Sequence, residues 1–363
     1  MKITKLLMSA LIIILFACGG GNEKNQTSQI TKLQPTPLPA EPASKAMPAL
    51  PASTAIPVNN FEDELSKISY ISDPKNISWP RVLEINGKYI YIEEKPNKVA
   101  TISLGHDEVL FGITDKSQIV ATTSFAQDPN SNIYSKAQGL PIITSDPENI
   151  IDLNPDIVFA DPYASVDLID ALEDFGIIVI QTQLSNSIEG RYNDIWLMAY
   201  ATGNLDNAEI LAEDIENKIS ILTSLSNQGG NSTKTVLALS WWDAYWTAGI
   251  GSTEDSVITL GGGINAASKV GIESNTTIDK EQLMSINPDI IVITQSPEWG
   301  GEDFYQQLIG DASLNSITAI NNSEVYLVNS NWWTTLSYWN IKGSQELAKI
   351  IHSEGNFEDF GDF

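Results

Sequence analysis

Glu148-Asn-Ile-Ile-Asp-Leu-Asn154-Pro155-Asp156-Ile157-Val158 is echoed later in the chain as Glu281-Gln-Leu-Met-Ser-Ile-Asn287-Pro288-Asp289-Ile290-Ile291. Each segment reads as a short amphipathic helix, an Asn-Pro-Asp stop and a buried strand. Proline disfavours a helical conformation in the residue before it, so helix end and strand start are marked twice by the same chemistry. A single helix-to-strand turn is common. Glu, Asn, Pro, Asp and Ile at matching offsets argue for two lobes of similar structure.

β-rich apolar runs flank both copies. Val99–Ser103, Ile119–Thr122, Asp156–Ala160 and Ile177–Gln181 form one group; Thr235–Leu239, Asp289–Thr294 and Val325–Val328 form the other. Helical patterns such as Ser165–Phe175 and Thr253–Leu260 alternate with them. Continuous apolar strands separated by helices predict parallel sheets buried on both faces. Between the groups, Ala208, Leu211, Ala212, Ile215, Ile219 and Leu222 keep a helical period, predicting one helix over Asp206–Leu225. The expected fold is α/β: two parallel-sheet lobes bridged by a single long helix, with ligand in the interlobe cleft. The lobes are expected at 61–203 and 229–363, with the bridge at 204–228. The first lobe opens on a hairpin, since Asn86-Gly87 separates Val82–Ile85 from Lys88–Ile92.

Upstream of this body, Lys2 and Lys5 precede an apolar run from Leu6 to Ala17 that is too short to span a bilayer. Residues 1–17 read as a secretory signal. Cys18, the only cysteine, follows at once and resembles the acylated cysteine of a bacterial lipoprotein. Residues 18–60 carry seven prolines and no apolar period, so they read as a tether from the lipid. The expected location is extracytoplasmic, lipid-anchored to a bacterial membrane, in a periplasm or on a cell surface.

The 363 residues carry a formal net charge of −26, which repels nucleic acid and anionic headgroups. Only Arg81 and Arg191 are arginines, so few guanidinium forks exist to grip a highly charged anion. The two histidines are far apart and no short ligand spacing exists, so no bare metal site is expected. Thr247-Ala-Gly249-Ile-Gly251-Ser252 lacks the lysine and spacing of a phosphate loop and reads as a turn. Nothing in the chain argues for an oligomer, and a monomer is expected.

Ligands of open α/β sheets gather beyond the carboxyl ends of the strands. Those ends place His106, Phe125 and Tyr163 in the first lobe. In the second they place Trp241, Trp242, Tyr245, Trp246, Trp299, Trp332 and Trp333. A single tryptophan is most often core. Six of the nine just past strand ends suit a flat, partly apolar ligand or a sugar ring.

In the order of its motifs the chain resembles substrate-binding lipoproteins of ABC importers, the helical-backbone class that carries ferric siderophores, haem or cobalamin. The likeness spans residues 81–352. It is carried by the hairpin, the strand Val99-Ala-Thr-Ile-Ser103 leading to Gly105-His106-Asp107-Glu108, and the two Glu-to-Pro-Asp segments. Leu260-Gly-Gly-Gly-Ile-Asn265 and Glu346-Leu-Ala-Lys-Ile-Ile-His352 complete it. The resemblance implies a stiff clamp with no chemistry of its own, a metal chelate as cargo, and a permease docked through Glu148 and Glu281. The arginine shortage disfavours a tris-catecholate and fits a hydroxamate siderophore or a corrinoid. Haem is a third cargo, with His106 or Tyr163 as the iron ligand, although His106 also suits a plain helix-start hydrogen bond. The competing readings are an extracellular carbohydrate-binding module and a glycoside hydrolase working through paired carboxylates such as Asp161 and Glu298.

Overall fold

The computed structural model describes residues 61–228, 234–352 and 359–363. The signal segment, Cys18 and the tether lie outside the described residues, which all belong to one unit, Ser53–Phe363.

The leading hairpin pairs β1 (Arg81–Ile85) with β2 (Lys88–Ile92), antiparallel, with Ile85 opposite Lys88. Asn86 and Gly87 both take positive φ, 52° and 77°, which is what a two-residue turn matched to strand twist requires.

The first lobe is built on β3 (Val99–Thr101), β4 (Ile157–Ala160) and β5 (Ile178–Gln181), all parallel and in that spatial order. Ile119–Thr122, expected as a strand, runs beside β3 but makes only single bridges, to Val99 and Ile142. Successive residues alternate between two cores. Val99, Ile157, Phe159 and Ile180 face one, and Ala100, Val158, Ala160 and Val179 face the other.

The second lobe carries β6 (Thr235–Trp241), β7 (Tyr245–Ala248), β8 (Ile264–Asn265), β9 (Asn275–Ile278), β10 (Ile290–Ile293) and β11 (Val325–Leu327). The order is β11-β10-β6-β7-β9, with β8 also on β6. The strands β6, β8, β10 and β11 are parallel, but β7 pairs antiparallel with β6 and β9, so this sheet is mixed. The same alternation buries Leu237, Leu239, Ile291 and Ile293 on one face and Val236, Ala238, Ile290 and Val292 on the other.

The repeated segment explains itself in this frame. Asp146 and Asp279 cap the helices Pro147–Leu153 and Lys280–Ile286 by accepting backbone N–H bonds. Asn154 and Asn287 end them in the left-handed conformation, φ 49° and 46°. The following aspartate then pins the neighbouring parallel strand. Asp156 Oδ2 accepts from the Lys98 N–H at 2.9 Å, and Asp289 Oδ2 from the Thr235 N–H at 2.8 Å. One device sets strand register in both lobes.

The bridge is the helix Leu205–Gln228. Gly203, φ 75°, ends the preceding helix Ile188–Thr202, and the chain turns directly into the bridge. Ala208, Leu211, Ala212, Ile215 and Leu222 are buried along one stripe. That stripe meets the helices Leu104–Ile113 and Ile188–Thr202 in the first lobe and Thr253–Leu260 and Asn340–Ile351 in the second. A 24-residue helix seated on both lobes resists bending, because any hinge there exposes packed apolar surface.

Candidate functional site

Between the lobes lies a cleft of about 810 Å³. A hollow of about 640 Å³ opens off it and shares Tyr163, Asn186, Thr334 and Leu336 with it. Both are sized for a small molecule. Tyr163, from the loop after β4, and Trp242, Trp246 and Trp299, from the second lobe, supply aromatic wall. Tyr163 is 90% exposed, Trp299 71% and Trp242 52%. Large rings left that bare along one concave wall make it the candidate binding surface. Phe125 and Asp161 line the adjoining hollow.

The other predicted residues lie elsewhere. Trp241 and Tyr245 point away from the cleft; they meet edge to face at 4.9 Å and both pack on Phe304. Neighbours on a strand face opposite ways, so Trp246 can face the cleft only if Tyr245 does not. Trp332 is half-buried, with the Lys342 ammonium 4.6 Å from its ring, and does not line the cleft. Trp333 is core: Asn329 caps the short helix Ser330–Trp333, which turns the indole inward to donate to Glu346 at 2.9 Å.

His106 is also corrected. It is fully buried in the first turn of Leu104–Ile113, with Nδ1 2.7 Å from Ser103 Oγ and Nε2 2.7 Å from Thr182 Oγ1. Both ring nitrogens are engaged and none is left for a ligand. Burial holds its pKa down to about 3. A folded-state pKa below the unfolded value of about 6.5 means its stabilisation is complete above pH 6.5 and fades as pH falls toward 3. The His106 ring resonances are expected not to titrate between pH 5 and 8 in an NMR titration.

Asn186 and Glu108, unpredicted, tie the lobes together. Asn186 donates to the Gly251 carbonyl at 3.1 Å and accepts from Thr253 Oγ1 at 3.0 Å, at the cleft wall. Asn186 follows β5, so the strand-end rule that found Tyr163 reaches it too. Glu108 is buried and accepts from Asn132, Thr335 and Ser337. Its pKa is raised chiefly by burial.

Among the described residues that line the cleft and its hollow, none is Lys, Arg or His; the carboxyl groups are Glu254 and Asp161. Burial raises the Glu254 pKa. Neither arginine lines the cleft. Arg81 stacks 4.2 Å from the Trp79 ring, and Arg191 is buried within the field of Asp194, Glu254 and Glu108, with no hydrogen-bond partner for its guanidinium among the described residues. The described residues contain no cluster of three or more His, Cys, Asp or Glu fit to hold a metal ion. Glu148 and Glu281 are exposed in the first turns of their equivalent helices. Asp161 borders the hollow, but Glu298 lines neither space, so the structure does not set that carboxylate pair across the cleft.

Residues 99–331 match the family model described as "Periplasmic binding protein". The chain belongs to the periplasmic binding protein family. Relatives of this binding protein include a cobalamin-binding protein of Halobacterium salinarum, 21% identical over 266 residues, covering 73% of this chain and 72% of that one. An uncharacterized ABC transporter substrate-binding lipoprotein of Bacillus subtilis is 23% identical over 271 residues, covering 73% and 83%. In fold, the binding protein is similar to the apo periplasmic heme-binding protein of Roseiflexus sp. RS-1, with TM-score 0.62 and 20% identity over 71% of this chain and 98% of that one.

Proposed function

We propose that this protein is the substrate-binding component of an ABC importer, held to the membrane by lipid on Cys18. It captures a hydroxamate-type iron chelate or a corrinoid and delivers it to the permease. The observation that carries the reading is an interlobe cleft with indole and phenol walls and no cationic side chain. Haem brings two propionates, and a cleft without guanidinium or ammonium groups offers them no partner. Corrinoid amides and hydroxamate carbonyls find a hydroxyl donor in Ser240 and an amide donor in Asn275. The cobalamin-binding relative supports the corrinoid arm. The broad indole faces also suit a sugar, so oligosaccharides belong in the test.

The experiment is tryptophan fluorescence titration with ferric hydroxamates, cobinamide, haem and an oligosaccharide. Saturable binding of a chelate or corrinoid, tighter than haem, is the expected result. Binding of the oligosaccharide alone would overturn the cargo.

Glu148 and Glu281 stand exposed at matching positions, one per lobe, and we assign them to the permease-docking face. Glu148→Ala together with Glu281→Ala is expected to abolish uptake in whole cells while leaving the dissociation constant within about twofold. Uptake at the wild-type rate would remove these residues from the docking face.

A further inference from the structure

Trp242 and Trp299 line two spaces, the cleft and a smaller hollow of about 320 Å³. Their ring centroids are 6.5 Å apart and the planes are tilted by 51°. The smaller hollow is completed by Trp241, Asp243, Phe304 and Asp303. The wall is fixed in place by Gln295, whose Oε1 accepts the Trp241 N–H at 2.7 Å and whose Nε2 donates to the Trp299 carbonyl at 2.5 Å. Gly301 permits this close approach, because a Cβ there would lie 2.0 Å from the Gln295 carbonyl oxygen. Asp243 sits at the β6–β7 turn with φ 62°, and Asp303 in the first turn of the helix Gly301–Gly310. Both are exposed, neither forms a salt bridge among the described residues, and no Lys, Arg or His lines the hollow.

Exposed indoles beside two free carboxylates make a poor surface for an anion and an unspecific one for a neutral group. They attract a cation twice, through the ring quadrupole and through Coulomb attraction. We infer that this hollow is a cation subsite, receiving a positively charged arm of the cargo that the cleft holds. The inference rests on the cargo reading above and adds to it the charge of the cargo. Trp242 and Trp299 then serve both spaces, one for the body of the ligand and one for its arm.

Two titrations separate this inference from the reading beneath it. The first uses choline against 3,3-dimethylbutanol, its neutral isostere, read by tryptophan fluorescence. Choline is expected to bind at least about tenfold more tightly, with the preference lost in D243N/D303N; asparagine tolerates the left-handed backbone at position 243. The second uses ferrioxamine B, whose free amine is charged, against its N-acetylated form. The charged chelate is expected to bind about tenfold more tightly at low salt. In D243N/D303N the gap should fall below about threefold while the neutral chelate binds as before. Equal affinity for choline and its isostere, or for two chelates that both bind, overturns the cation subsite. Choline selectivity without binding of either chelate supports the subsite and sinks the hydroxamate cargo.

Discussion

Replacing Trp333 by alanine is expected to destabilise the fold by about 3–5 kcal/mol and to leave the affinity of refolded protein for its ligand unchanged. Trp333 is wholly buried in the second-lobe core with Val236, Ala238, Val257, Val328 and Leu347. Truncating an indole there leaves a cavity that the β6–β10 sheet and the helix Asn340–Ile351 cannot close. It also strips a donor from Glu346, a largely buried carboxyl whose pKa burial already raises. Trp333→Phe is the milder truncation: it keeps a phenyl ring in the core and loses the N–H together with the remaining part of the indole. That variant is expected to lose about 1–2 kcal/mol. Urea unfolding with an unchanged slope reads both values. A Trp333→Ala protein of wild-type stability would place this indole outside the core.

The architecture was legible because its signals are local. Asn86-Gly87 requires no partner to announce a turn, and Asn-Pro-Asp marks a helix end and a strand start wherever it falls. The buried strands read as apolar runs because both faces are covered. The strands β7 and β9 escaped notice for the same reason in reverse. One has four residues ended by Gly249, the other reads Asn-Thr-Thr-Ile, and neither has an apolar run to detect. The site was half legible. The strand-end rule says how far along a strand a ligand lies, but not on which face. Trp241 and Trp242 are neighbours, as are Tyr245 and Trp246, and the register that sets Trp241 opposite Tyr245 turns both toward Phe304. His106 misled because a polar residue past a strand end looks available. Ser103 and Thr182, 76 residues further along in the second case, take both its nitrogens, and only the folded chain brings them there.

Trp246→Ala with Trp299→Ala is expected to weaken ligand binding by about two to three orders of magnitude while the unfolding midpoint barely moves. Both rings line the cleft and both are exposed, 37% and 71%, so neither carries much of the fold. An aromatic anchor that becomes desolvated on binding contributes about 2 kcal/mol. Two such anchors therefore contribute about 4 kcal/mol, and each 1.4 kcal/mol is a factor of ten in the dissociation constant. Trp332→Ala is the control: that indole is half-buried, packs against the Lys342 ammonium and does not line the cleft, so its loss should cost stability and leave affinity within about threefold. With Trp333 the four tryptophans form a crossed test, in which Trp332 and Trp333 move the unfolding curve and the cleft indoles move the titration. Tight binding by the Trp246→Ala, Trp299→Ala protein would mean that the ligand is gripped by the backbone and hydroxyl groups of the cleft floor, and that the bare indoles face some other partner.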